Sequence, residues 1–339
     1  MKGRTAGGII LVAMSSSSGP SDRLPSVSVV IPARSAAQAV AGAVASALDQ
    51  DYPALTEVVV AAADEPTADA ARSLEDPRVK VVANPNGSTP AALNIALAAS
   101  SGQVVVRCDA HAVLPPGYVT RAVETLKSTG ATNVGGRQVP RGKTLFERAV
   151  GLAMVSPVGA GDARYRLGGA AGPVDTVYLG VFRRSAVEEV GGFDETLERN
   201  QDYELNWRLR QAGGVIWFDP RLAVDYRPRG SVGDLWLQYF EYGRWKRAVI
   251  RRHPESWRWR QSAAPALVVG LGGSAFLAAA GSRLAGVIPA AYLATTLGAA
   301  GWHLATAQLP EAILEPVALW TMHLAWGIGF IVGPPGGRP

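Results

Sequence analysis

Val104-Val105-Val106-Arg107-Cys108-Asp109-Ala110-His111 decides the reading of this chain. A run of β-branched residues drives into an interior and ends on an Asp and a His separated by one residue. In an open α/β sheet, ligands gather at the carboxyl ends of strands, so this run would deliver two metal ligands to the place where a substrate sits. A hard divalent cation held by few protein groups keeps positions free for phosphate oxygens, which suits a reaction whose leaving group is a diphosphate. Taken alone, the same residues also read as a turn Asp and a surface His, because Asp is common in turns.

Upstream, strand and helix patterns alternate. Val27-Ser28-Val29-Val30-Ile31 reads as a buried strand stopped by Pro32, and an Ala-rich helix follows over 36–49. A second strand over 57–61, a helix over 67–74 and a strand over 79–82 come next. The turn Asn84-Pro85-Asn86-Gly87 leads to a helix over 89–99, with Thr89 as its cap and Pro90 at its first position. This order predicts an α/β layer of the nucleotide-binding type, with parallel strands and right-handed crossovers. Neither GxGxxG nor GxxxxGK[ST] follows any strand. The phosphates of a bound nucleotide therefore fall to a metal at Asp109 rather than to a glycine-rich loop.

The chain has 339 residues, room for a catalytic domain and an appendage. Its net charge is +5, and the basic residues concentrate between Arg221 and Arg260, just ahead of an apolar C-terminal third. A membrane surface, not nucleic acid, is the partner expected for that charge. The single cysteine, Cys108, excludes an internal disulfide and a Cys-based zinc site, and its place at the end of an apolar strand reads as burial. Residues 1–25 read as a flexible cytoplasmic tail.

Beyond Arg260, three apolar stretches cover 262–281, 284–305 and 312–332. Each is about twenty residues, enough to cross a bilayer as a helix at about 1.5 Å per residue. Buried core helices are the alternative. Trp302, Trp320 and Trp326 suit the headgroup region, and Arg247, Arg251, Arg252, Arg258 and Arg260 place the flanking side in the cytoplasm. The expected organisation is a catalytic domain over 26–230, an amphipathic basic juxtamembrane segment over 231–261, and a region of about three transmembrane helices over 262–333. The protein would be a multi-pass protein of the inner or plasma membrane with a cytoplasmic catalytic domain.

A second cluster lies downstream, in Val190-Gly191-Gly192-Phe193-Asp194-Glu195 and Arg199-Asn200-Gln201-Asp202-Tyr203-Glu204-Leu205-Asn206-Trp207-Arg208-Leu209. The latter has helical spacing, with Leu205 and Leu209 on one face and Asp202 in the first turn. A carboxylate there is stabilised as the anion and rigidly placed, as a general base requires. A simple helix cap is the other reading.

These motifs, together with Val27-Ser28-Val29-Val30-Ile31-Pro32-Ala33, the Asn94 helix and Asp109-Ala110-His111, occur in an order that resembles family-2 inverting glycosyltransferases of the GT-A fold. The likeness is greatest to the succinoglycan-biosynthesis type of bacterial exopolysaccharide glycosyltransferase, and it covers about residues 26–254. It implies a mixed, mainly parallel sheet flanked by helices. It places Pro32, Ala33, Arg34, Asn94, Arg107 and Asp109 at the nucleotide sugar, a UDP-sugar first of all. It gives Mn²⁺ or Mg²⁺ to Asp109 and His111, the imidazole favouring Mn²⁺. Asp202 would take the proton of the acceptor hydroxyl, with Gln201 and Glu204 orienting the base or the acceptor. In Gln238-Tyr239-Phe240-Glu241-Tyr242-Gly243-Arg244-Trp245, Arg244 would meet diphosphate and Trp245 would stack on a sugar, unless the segment lies against lipid phosphates.

One departure concerns the donor. Members of the family follow the second strand with a pair of Asp residues, one bonding the nucleotide base, where this chain has Ala62 and Ala63. The base contact then falls to Asp64, or the nucleotide is other than uridine. The function implied is transfer of a sugar to a lipid-linked or growing saccharide in cell-envelope or exopolysaccharide synthesis. The alternatives are a polyprenyl-phosphate sugar synthase and a catalytically degenerate membrane subunit that binds a partner.

Overall fold

The computed structural model describes residues 24–334, so the predicted tail over 1–25 falls almost wholly outside the described residues. Eight strands form one sheet: β1 (Val27–Ala33), β2 (Leu55–Ala62), β3 (Val79–Ala83), β4 (Val104–Arg107), β5 (Asn133–Pro140), β6 (Gly172–Pro173), β7 (Tyr178–Arg183) and β8 (Ile216–Tyr226). Their spatial order is β3-β2-β1-β4-β7-β5-β8-β6. The first four are mutually parallel, as the alternation of elements predicts. β7 runs antiparallel between β4 and β5, β8 is parallel to β5, and β6 closes the edge antiparallel to β8. The sheet is mixed and mainly parallel.

β1 is buried along its whole length because both faces of the sheet are covered. Val27, Val29 and Ile31 point to a core shared with α1 (Val40–Leu48) and later with Tyr118 and Val119; the intervening Val30 points to the opposite core. On that second face lie α3 (Thr89–Ala98) and, far along the chain, Leu205 and Leu209. Between α1 and α3, α2 (Glu65–Arg72) follows β2. The cap of α3 is Ser88, whose Oγ accepts from Ala91 N at 3.3 Å, and Thr89 is already helical. A seryl oxygen just before the first turn satisfies an otherwise unpaired amide, one position earlier than the sequence suggests.

α4 (Tyr118–Thr129) precedes β5, and α5 (Leu145–Val155) follows it. Two single turns, α6 (Pro157–Ala160) and α7 (Arg164–Leu167), lead to β6, and α8 (Arg184–Glu189) and α9 (Gln201–Gln211) separate β7 from β8. Then come α10 (Val232–Arg252), α11 (Arg260–Ala279), α12 (Val287–Ala307) and α13 (Glu315–Val332). The last three, with their 3₁₀ lead-ins, are long and apolar enough to cross a membrane. Exposed Val269, Phe276, Leu284 and Trp302 give α11, α12 and the turn between them a surface suited to lipid rather than to water.

α13 differs from the other two. Half of its apolar window is buried inside the protein, against 11% for each of the other spans. Its Leu319, Met322 and Ala325 share a core with Val150 and Met154 of α5 and with Leu235 and Tyr239 of α10. Two glycines permit the approach: a Cβ on Gly243 of α10 would fall 2.1 Å from Trp326 O, and one on Gly329 of α13 would fall 2.1 Å from Phe240 O. Segment 231–261 is therefore folded onto both the α/β portion of the chain and the terminal helices.

Candidate active site

β1 and β4 are adjacent and in register, Val30 facing Arg107, so their carboxyl ends open into one cleft. Its volume is about 1140 Å³. Pro32 and Arg34 reach it from the end of β1, and Arg107, Asp109 and His111 from the end of β4. Gln201 and Asp202 enter from the first turn of α9. Cys108 stays behind the wall, fully buried, and burial pushes its thiol far up. That removes it from nucleophilic chemistry.

Arg107 is buried, and its Nε donates to Asp109 Oδ1 at 2.9 Å. Burial opposes its charge, but the carboxylates of Asp109 and Asp202 outweigh that cost and hold the guanidinium protonated. Asp109 is about one-third exposed to the cleft, and His111 is exposed. Among the described residues no group of three or more His, Cys, Asp or Glu is gathered for a metal. One open carboxylate oxygen and one open imidazole make a donor set that Mn²⁺ or Mg²⁺ accepts while keeping its other positions for water and phosphate. The residues fit such an ion.

Asp202 Oδ1 accepts from the amide of Tyr203 at 2.8 Å, which fixes the carboxylate at the start of α9. Asn200 precedes it in the left-handed region with φ 63°, tied by its Nδ2 to Tyr242 O. Asn tolerates that conformation better than most residues, and it turns the chain into α9.

Several residues expected at the site are elsewhere. Ala33 is buried within β1. Asp64 caps α2, accepting from Thr67 N and Oγ1 and from Ser35 N. The Thr67 hydroxyl is the main cause of its lowered pKa. It lines a separate small pocket beside Ala62 and Ala63 rather than the cleft. Asn94 bonds the backbone of Phe193 through both its amide atoms and also donates to Glu195 Oε1, so it clamps the Gly192-Phe193 turn. Glu204 is 1% exposed and points away from the cleft, into a bidentate pair with Arg208 and a contact with His253.

Arg244 and Trp245 are also absent from the cleft. Arg244 Nε donates to Gly333 O at the end of α13 and Nη1 to Glu241. Trp245 is buried beside Leu197 and Tyr203, with Nε1 on Glu241 Oε2. The helix presents a different face to the cleft, carrying Gln238, Tyr239, Tyr242 and Lys246. The spacing of Tyr239, Tyr242 and Lys246 by three and four positions marks that face in the sequence. Arg166 of α7 joins them, with no comparable sequence signal.

The far wall belongs to the apolar helices: Ala263 and Ala264 of α11, and Met322, His323 and Trp326 of α13, line the same cleft. A cleft at the strand ends is thus continuous with candidate membrane spans. The profile of Glycosyl transferase family 2 matches residues 28–191. Succinoglycan biosynthesis protein ExoA of Rhizobium meliloti (strain 1021) is 32% identical over 318 residues, which is 91% of this chain and 96% of that protein. A Pre-mycofactocin glycosyltransferase of Mycobacterium tuberculosis (strain CDC 1551 / Oshkosh) is 36% identical over 75 residues, 22% of this chain and 16% of that one. Among solved structures, the mannosyltransferase PcManGT from Pyrobaculum calidifontis, in complex with GDP-Man and Mn²⁺, superposes with a TM-score of 0.56 at 19% identity, over 92% of this chain and 87% of its own. The fold is the GT-A glycosyltransferase fold. The chain belongs to glycosyl transferase family 2.

Proposed function

We propose that this chain transfers a sugar from a nucleoside-diphosphate donor to a hydroxyl of a lipid-linked or growing saccharide, in exopolysaccharide or cell-envelope synthesis. The observation that carries this reading is the single cleft bounded at one end by Arg107, Asp109 and His111 and at the other by α11 and α13, with Asp202 also in its wall. Likeness to a succinoglycan biosynthesis protein over nearly all of both chains supports the exopolysaccharide assignment.

Asp109 and His111 would hold Mn²⁺ or Mg²⁺, whose charge stabilises a departing diphosphate when bound. Arg107 anchors Asp109 and adds a fixed positive charge at the same end. Asp202 removes the proton of the acceptor hydroxyl as that oxygen bonds to the anomeric carbon. The bond from that carbon to the diphosphate oxygen breaks on the opposite face, so the anomeric configuration inverts. Gln201, beside Asp202 in the cleft wall, orients the acceptor. The presence of Asp202 supports a hydroxyl acceptor over an ionised lipid phosphate, which needs no base. Asp109 and Asp202 together argue against a degenerate subunit.

The exposed apolar surface of α11 and α12 supports a membrane-embedded C-terminus, and the arginines of 247–260 support a cytoplasmic catalytic domain. The test is incubation of membranes containing the protein with a panel of radiolabelled UDP- and GDP-sugars and Mn²⁺. One donor should place label in organic-extractable lipid or in polysaccharide. Release of free sugar alone, with no label in either fraction from any donor, contradicts the reading.

A further inference from the structure

Arg166 brings a positive charge to the cleft wall with no ion pair to a carboxylate among the described residues. Its Nη1 donates to Tyr239 Oη at 2.8 Å, and its guanidinium carbon lies 5.6 Å from the ring centre of Tyr165 and 5.8 Å from that of Tyr239. Its Nε is buried and has no partner among the described residues. The other buried or half-buried arginines of the same cleft are neutralised within the protein, Arg107 by Asp109 and Arg260 by Asp162 and Asp175, whereas Arg34, Arg199 and Arg229 are exposed to water. A desolvated guanidinium with unmet donors is costly unless an anion supplies the missing acceptors. The edge formed by Nε and Nη2 is the one a phosphate meets side-on with two parallel bonds.

The surroundings indicate which phosphate. Tyr239, which accepts from Arg166, packs with Met322 and Ala325 of α13, and Met322 lines the cleft with Arg166. The charge is therefore beside the apolar helices. The donor diphosphate already has Arg107 and the Asp109–His111 pair at the strand ends. We infer that Arg166, framed by Tyr165 and Tyr239, binds the diphosphate of a polyprenyl carrier that presents the acceptor saccharide. This rests on the lipid-linked acceptor proposed above and assigns that acceptor's anionic group to a specific residue.

The test uses the full chain in dodecyl maltoside micelles, with intrinsic tryptophan fluorescence as the readout. The probes are undecaprenyl diphosphate, undecaprenol, phosphatidylglycerol, and UDP or GDP with Mn²⁺. The wild type should bind undecaprenyl diphosphate at least about tenfold more tightly than undecaprenol or phosphatidylglycerol. Arg166→Gln should reduce that preference to less than about threefold, and Arg166→Lys, which keeps the charge but loses the fork, should fall between them. UDP and GDP should bind all three proteins equally, which also shows that the variants are folded. A full preference retained in Arg166→Gln overturns the assignment, as does an equal loss of nucleotide affinity or phosphatidylglycerol binding as tight as that of the diphosphate. Should the wild type bind neither polyprenyl lipid, the lipid-linked acceptor itself fails and the assignment falls with it.

Discussion

The ammonium of Lys246 lies 3.1 Å from the centre of the Tyr203 ring, a cation held on an aromatic face in the wall of the cleft. Burial pushes its pKa down to about 7, opposed by Asp202 and Asp175 and reinforced by Arg260. Unfolding returns it to its ordinary value of 10.5. Between these values the unfolded chain carries the extra proton, so this group makes stability rise as pH increases from about 7 toward 10. Below pH 7 its destabilising effect is complete. Lys246→Met should therefore raise the melting temperature at pH 6 by about 5 °C, with the difference shrinking as pH approaches 9. A gain that does not change with pH would mean that Lys246 is already compensated in the fold.

Glu204 separates structural from catalytic roles within α9. Its carboxylate receives two bonds of 2.7 Å from Arg208 and lies 2.9 Å from His253 Nε2. Glu204→Ala leaves the half-buried Arg208 guanidinium without its carboxylate, bonded only to the carbonyls of Val190 and Gly192, and should cost about 1–3 kcal/mol of stability. Turnover per folded molecule should stay within about twofold of wild type, since small kinetic changes mean that no transition-state contact was lost. Denaturant midpoints measured beside kcat check this, and a large fall in kcat with stability intact would return Glu204 to the acceptor.

α13 shares a hydrophobic core with α5 and α10. A chain ending at Arg260 would uncover Val150, Met154 and Leu235, which α13 covers. Such a chain should lose cooperative thermal unfolding and aggregate. The full chain should resist extraction by carbonate and need detergent. A truncated chain that unfolds in one sharp transition would show that α13 is a detachable anchor.

Asp109→Asn, whose Oδ1 still accepts from Arg107, should abolish the Mn²⁺ dependence of UDP or GDP binding while leaving the melting temperature in the absence of nucleotide within a few degrees. Isothermal titration with and without chelator reads this directly. Metal-enhanced binding that survives the substitution would place the ion elsewhere.

The first half of the fold was legible because β1 to β4 and their helices are short, apolar and regularly alternating. Ser88 displaced Thr89 as the cap of α3, a shift of one position that local sequence does not decide. The second half was not legible. β5 contains Gly135-Gly136, β8 contains Pro220, and β7 enters antiparallel, so none has a clean period. Asp109, His111 and Asp202 are legible as candidates because strand ends and helix starts are local features, whereas Arg107 and Gln201, which line the same cleft, come with the family resemblance. Asn94, Glu204, Arg244 and Trp245 have the right residue types but are turned toward Phe193, Arg208, Gly333 and Leu197 by tertiary packing. Lys246 and Arg166 matter because one is buried and the other half-buried with no ion pair among the described residues, a property that exists only once α10 and α13 have closed the wall.

A single-turnover experiment with donor and acceptor both saturating isolates the step in which Asp202 is proposed to take the proton from the acceptor hydroxyl. Asp202→Asn should lower the transfer rate by about two to four orders of magnitude, with the affinity for the nucleotide sugar unchanged. A wild-type rate in Asp202→Asn, or a collapse of donor affinity with transfer of bound donor intact, would contradict the account.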